Sequence, residues 1–434
     1  MRLKARVMTT MDAFRRAVAQ PGRWGVPAML ACVLTTSAAS ADVGASVWSA
    51  RLLRTPSLPM PGYLERIVDP VLGTPIVRIT DPGRRLLPDA ACNPASCRHR
   101  YSSTQAWNAD QSLLVITKGC PDLCFLDGHT YVPLFARRVS PHHDCKWHPT
   151  DPDKMICVHR TGIDVWTPRM NTWSAVSAPP GYSQLEFGPY KGNVSRDGSM
   201  IALRARNAQD QLVAFAYHLG TGRKFPDIPL SDLAASNLYV TISASGRYIF
   251  VSQLTADGKE PAYVFTVDGD LFQYWPEHHR PGHGDMAIDV DGADVYVGVS
   301  KSPPDEFHII KRRLDDGRVT VLAPLGDASH VSARNIRWPG WVFVSYQGSF
   351  EHTSAMRYPA PFYSEVIALR IDGSGEIRRI AQTRSTMREY LSEMHASPSP
   401  DGTRVIWASN WGVAGGPVSD YVAHVTTNQA VPDN

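Results

Sequence analysis

From about residue 60 onward, apolar and polar positions alternate in short bursts, each closed by a turn. In "SPDGTRVIWAS" (399–409), Asp401-Gly402 supply a tight turn and the residues after it alternate as a strand. Equivalent phrases are "NADQSLLVIT" (108–117), "HPTDPDKMICV" (148–158), "SRDGSMIALRA" (195–205), "SASGRYIFVS" (243–252), "DVDGADVYVGV" (289–299) and, with a different turn, "RWPGWVFVSYQ" (337–347). Their spacing of roughly 40 to 60 residues is the period of four-stranded propeller blades. Between the phrases lie further hairpins, such as "AYVFTVDGDLFQYW" and "EVIALRIDGSGEIRRIAQ". The pattern predicts one all-β domain over 61–427, a seven-bladed β-propeller of four-stranded antiparallel blades. "PIVRITD" (75–81) has no hairpin partner and is expected to complete the last blade, closing the ring.

Ahead of this domain the pattern changes. A basic stretch (Arg2, Lys4, Arg6, Arg15, Arg16, Arg23) precedes the apolar run "WGVPAMLACVLTTSAA", and Ala39-Ser40-Ala41 makes a small-residue cleavage site. The reading is a signal peptide over 1–41, a linker over 42–60 and a tail over 428–434, in a periplasmic or secreted protein. The run is too short to span a bilayer; lipidation at Cys32 is the rival to cleavage. Six cysteines follow the leader, and export favours disulfides. Cys145 and Cys157 lie equidistant from a turn near Asp151, so they are expected to face each other across a hairpin. The other pairings stay open.

Charge is nearly balanced, at +3 over 434 residues. Without a clustered basic run the chain is not a dedicated nucleic-acid binder. A monomer is expected.

In a propeller the strand before each repeat turn is innermost, and its entrance opens on the face that collects ligands. Side chains two apart share a face, so positions at a fixed offset from each turn can be compared. Glu393 and His395 precede Asp401-Gly402; their counterparts are His283 and Asp285 in the fifth blade and His330 and Ser332 in the sixth. The fourth offers Asn237 and Tyr239, the third Pro189 and Lys191, the second His142 and Asp144 around His143. The first offers Ser102 and Thr104, just after His99, Arg100 and Tyr101. About a third of the 15 histidines therefore fall at one repeat position.

His283, His330, Glu393 and His395 are candidate ligands for a divalent metal. Imidazole with carboxylate and no thiolate suits Mn²⁺ ahead of Zn²⁺, and Ca²⁺ wants more oxygens. His99, His142 or His143 is the candidate base, and Tyr101 and Tyr239 the candidate acids. Arg100 and Arg334 are candidates to grip an anionic group. Trp275 and Trp341 flank the histidine segments and are candidates for stacking on sugar rings. There is no GxSxG elbow and no glycine-rich phosphate loop.

The segment "EMHASPSPDG" resembles the corresponding stretch of the propeller branch of polysaccharide lyases, the oligogalacturonate and ulvan lyases. In oligogalacturonate lyases a Gln and several His hold Mn²⁺. His395 matches the last of those histidines, Glu393 stands where the motif has an earlier one, and Tyr390 stands at about the place of its Gln. The resemblance implies a secreted or periplasmic lyase that cleaves a uronate-containing, anionic polysaccharide or oligosaccharide by β-elimination. The alternatives are a non-enzymatic periplasmic propeller of the WD40/TolB kind that binds a protein or envelope glycan, and another His-dependent enzyme such as a glycoside hydrolase.

Overall fold

A computed structural model describes residues 53–425 except 177, 189–191, 231–238, 254, 258, 277–280, 324–327, 349, 351–354 and 356–360. The expected leader (1–41), the tail (428–434), and Pro189, Lys191 and Asn237 lie outside the described residues.

Each repeat phrase occupies the turn between the first and second strands of a blade. In the seventh, Asp401 Oδ1 accepts from Ser399 Oγ (2.7 Å), Thr403 N (3.0 Å) and Thr403 Oγ1 (2.8 Å), and Gly402 takes φ 72°. That left-handed conformation is one an L side chain disfavours, which is why Gly recurs there.

Among the described residues seven blade sheets result, antiparallel apart from Ser96–Cys97, which runs parallel to Val418–His424, and a separate hairpin pairs Arg85–Leu87 with Ala90–Ala91. The second blade is Asp144–Trp147, Met155–His159, Gly162–Thr167 and Thr172–Val176; the fifth is Pro281–Ile288, Asp294–Ser300, Ile309–Arg313 and Val319–Ala323. The sixth is Ala328–Ser332, Trp341–Tyr346, Glu365–Arg370 and Ile377–Gln382. In the first blade the inner position is a single bridge, Trp107 to Leu114, ahead of Leu113–Ile116, Leu123–Asp127 and Pro133–Arg137. Among the described residues, no helix is long and apolar enough to cross a membrane.

The seventh blade is made from both ends of the domain. Ser397–Pro398, Arg404–Ser409 and Val418–His424 are joined by Pro75–Arg78, with Ile76 opposite Ala423, and Arg66–Val68 adds an outer strand. The strand expected to close the ring does so.

Middle strands are buried on both faces, and each face serves a different neighbour. Ile201, Leu203 and Ala205 pack toward the second blade, while Met200 and Ala202 pack toward the fourth. Among the described residues seven such apolar clusters occur, one at each interface between adjacent blades.

The cysteines pair as Cys92–Cys97, Cys120–Cys124 and Cys145–Cys157. The last joins the first two strands of the second blade, where Cys145 and Cys157 are direct cross-strand partners. Near the axis, segment 102–105 ties distant blades together. The Ser102 carbonyl accepts from Ser332 Oγ (2.5 Å), the Ser103 carbonyl from Asn193 Nδ2 (2.9 Å), and Gln105 Nε2 donates to the Arg334 and Pro398 carbonyls (2.9 and 3.1 Å).

Candidate functional site

The inner-strand entrances of the fifth, sixth and seventh blades meet, and each is irregular where its histidine sits. The fifth has a bulge between Gly282 and Asp285, with His283 at φ 44°. Gly284 lies in that bulge, and a Cβ there would stand 2.2 Å from the Val297 carbonyl oxygen. The sixth shifts register between Ala328 and His330, and His395 stands just before its strand at φ 46°. Bulges re-aim side chains, and here two of them, with the left-handed turn at His395, bring three imidazoles together.

His283 and His330 stack in parallel, centroids 4.8 Å apart at 4°, and His330 meets His395 edge-on at 4.5 Å. Glu393 Oε2 lies 3.2 Å from His395 Nε2 and 3.9 Å from His330 Nε2. Burial raises the Glu393 pKa, and Arg98 opposes it only in part. Tyr101 packs on the group, its ring 4.9 Å from His330 and 4.7 Å from His395. Burial, ahead of repulsion from Tyr239, Tyr390 and Glu393, pushes the Tyr101 phenol up, so it stays protonated.

His330, Glu393 and His395 bring their donor atoms within 4.8 Å of one another, as a metal site would. The chemistry of His395 decides whether they fit. Arg98 Nη1 lies 2.7 Å from His395 Nδ1. A guanidinium only donates, so Nδ1 accepts and the neutral ring carries its proton on Nε2. A metal-bound imidazole does the reverse, giving its other N–H to an acceptor. The remaining atom, buried Nε2, has no hydrogen-bond partner and points an N–H toward Glu393. Burial, ahead of Arg98 and His99, pushes the His395 pKa down to about 2, so the ring stays neutral. With Arg98 in place, His395 does not fit a cation; His283, His330 and Glu393 retain the right donor types.

Several other expected roles are corrected. His99 is not available as a base. Its Nδ1 lies 2.7 Å from Asp420 Oδ1, its Nε2 2.7 Å from the His395 carbonyl, and it is 1% exposed. Its work is to hold the backbone of His395. Arg334 is not open to an anion, because Asp285 takes it in a fork at 2.8 and 2.9 Å. Trp275 is 0% exposed, under Arg312 at 4.4 Å, and Trp341 stacks on Trp338 between the sixth and seventh blades. Neither presents a face to a sugar. Tyr239 packs against the cluster between the fourth and fifth blades, near Tyr101 and Tyr296.

Beside the histidine group a cleft of about 1030 Å³ opens over the first three blades. Tyr101 and Tyr390 border both. Five cationic side chains line it (Arg100, Lys118, Arg160, Arg204 and Arg206) against three carboxylates. Arg100, half-buried, pairs with Asp144. His142 and His143 line this cleft, and His143 points toward His159 and Asp164 of its own blade. The sequence comparison missed Arg98. Its signal is the spacing "CRHR", which sets Arg98 and Arg100 two apart and next to His99.

No protein-family model and no curated protein matches this chain. Among solved structures, an oligogalacturonate lyase in complex with manganese superposes with a TM-score of 0.57 at 14% identity, covering 86% of this chain and 99% of that one. The oligogalacturonate lyase from Vibrio parahaemolyticus gives 0.55 at 12%, covering 84% and 96%. The chain therefore shares the seven-bladed fold of these lyases over nearly their whole length.

Proposed function

We propose that the protein is a lyase that cleaves uronate-containing polysaccharides or oligosaccharides by β-elimination. One observation carries this: a protonated phenol, Tyr101, packs on His330 and His395 and lines a cleft rich in cations. β-Elimination needs three things there. A cation must offset the C6 carboxylate and so acidify the C5 proton, a base must take that proton, and an acid must protonate the departing C4 oxygen.

Arg100, at the cleft wall, is held to Asp144 through Nη1 and is a third exposed, unlike the forked Arg334, and its other N–H groups take the carboxylate. His330 takes the C5 proton on Nε2, where the Glu393 carboxylate 3.9 Å away stabilises the imidazolium that forms. Tyr101 gives its proton to the C4 oxygen, and the electron pair of the broken C5–H bond becomes the C4–C5 double bond as the C4–O bond breaks. The proton on His330 restores Tyr101 through solvent. No step here passes through a metal. A divalent cation held by His283, His330 and Glu393, of which Mn²⁺ is the kind this donor set suits, would supply positive charge in place of the His330 imidazolium and would compete with His330 as the base.

The leader-like N-terminus and three cysteine pairs support action outside the cytoplasm, which cell fractionation tests. For the activity, purified protein is incubated with pectic, ulvan, alginate and glycosaminoglycan substrates while ultraviolet absorbance is followed. Growth of the unsaturated-uronate band on one of them is expected. No band on any, with glycan binding retained, would favour the non-enzymatic binding propeller.

A further inference from the structure

A second set of metal-ligating groups lies in the second blade, built by strand register. Cys145 opposes Cys157 and Asp144 opposes Val158, so the next pair outward is His143 with His159. On the neighbouring strand Asp164 opposes Cys157, one diagonal step from His159 on the same face. The Cys145–Cys157 disulfide thus fixes the two strands two residues from each histidine.

The carboxylate–imidazole spacing is longer than the usual hydrogen bond. Asp164 Oδ2 lies 3.3 Å from His159 Nε2 and 3.6 Å from His143 Nε2, and the two rings are 4.8 Å apart at 37°. Hydrogen bonds to nitrogen are commonest at about 2.9 to 3.0 Å, shorter than either spacing. Ligand atoms about 2.0 to 2.2 Å from one tetrahedral ion stand about 3.3 to 3.6 Å apart. Proton placement is open to a ligand role. Thr161 Oγ1 lies 3.3 Å from His159 Nδ1, and a hydroxyl can accept the Nδ1 proton and so leave the Nε2 lone pair to a cation. This is the reverse of His395, whose Nδ1 meets a donor.

Two further features support a built site. Trp173 packs edge-on against His143 at 5.4 Å and stacks on Trp166. Gly162 leaves room for the His159 ring, since a Cβ there would come within 2.8 Å of Nε2.

We infer that His143, His159 and Asp164 bind a divalent transition cation of the Zn²⁺ class in tetrahedral geometry, with the fourth position left to water or a ligand oxygen from the cleft. Two imidazoles and one carboxylate are a borderline-soft set that suits Zn²⁺ and Co²⁺. This inference does not depend on the lyase reading.

The test uses the full chain, stripped with chelator, in a background carrying His330→Ala and His395→Ala. Co²⁺ is titrated while visible absorbance is read, and bound Zn²⁺ is measured by elemental analysis. About one equivalent, with the intense bands of tetrahedral Co²⁺, is expected. Adding Asp164→Asn or His159→Ala should weaken binding more than tenfold, and Gly162→Ala should weaken it while deleting no ligand. Circular dichroism checks the fold of each chain. Should the background chain not fold, the loss of one equivalent is read on Asp164→Asn alone. No bound Co²⁺ or Zn²⁺, or equal affinity after Asp164→Asn, overturns the inference.

Discussion

Arg98 holds His395 by its Nδ1, at 2.7 Å, across 297 residues of sequence. That contact sets which ring nitrogen carries the proton, and so what His395 can do. Replacing the donor by an acceptor should reverse it. In Arg98→Gln the amide oxygen can take an Nδ1 proton and free Nε2 as a ligand. Mn²⁺ affinity, read by electron paramagnetic resonance, is expected to rise at least tenfold over the unmodified chain. Unchanged or weaker binding would show that Arg98 does not govern the site.

Tyr101→Phe removes the phenolic proton and keeps the ring that packs on His330 and His395. Loss of a general acid costs about 10²- to 10⁴-fold in turnover. The expected result is a fall of that order in kcat with KM nearly unchanged, measured on whichever glycan the absorbance survey identifies.

Trp275 separates the corrected role from the original one. It is fully buried between the fourth and fifth blades. Trp275→Ala is expected to destabilise the fold by about 3–5 kcal/mol. Glycan affinity at a temperature where the variant is folded should not change. A large affinity loss with unchanged melting would restore the sugar-stacking role.

Acid should weaken the fold before the carboxylates titrate. Burial and nearby arginines hold His424 down at about 4, and burial with Arg98 holds His395 at about 2. Both are neutral in the fold, while an unfolded histidine takes its proton near pH 6.5. Their contribution is therefore complete above pH 6.5 and is lost as pH falls below it. The slope is at most about 1.4 kcal/mol per pH unit for each histidine. Denaturant melts between pH 7.5 and 5 should show this decline, and His424→Gln should flatten it.

The repeat was readable because each copy is local: a turn, an Asp, a Gly and the alternating strand after it lie within about ten residues. The grouping of His283, His330, Glu393 and His395 followed from fixed offsets, since equivalent places in successive blades are neighbours around an axis. Roles set by distant partners were not readable. Asp420, which occupies His99, is 321 residues away from it. Arg334 and Asp285 sit 49 apart in different blades, where each looks free on its own strand. The tryptophans were misplaced for a related reason: alternation tells which side of a strand a residue takes, but not whether the next blade covers that side. The second-blade set was half visible. His143 stood out, while His159 and Asp164 lie on strands beyond the inner one that the comparison followed.

The pairing of Pro75–Arg78 with Val418–His424 has a consequence for synthesis. A ribosome releases the first of these strands hundreds of residues before the second exists. Until then the early strand must wait with its backbone groups unmet. A chain stopped short of residue 418 would keep six blades and carry an unzipped seam, a ready template for sticking to another copy.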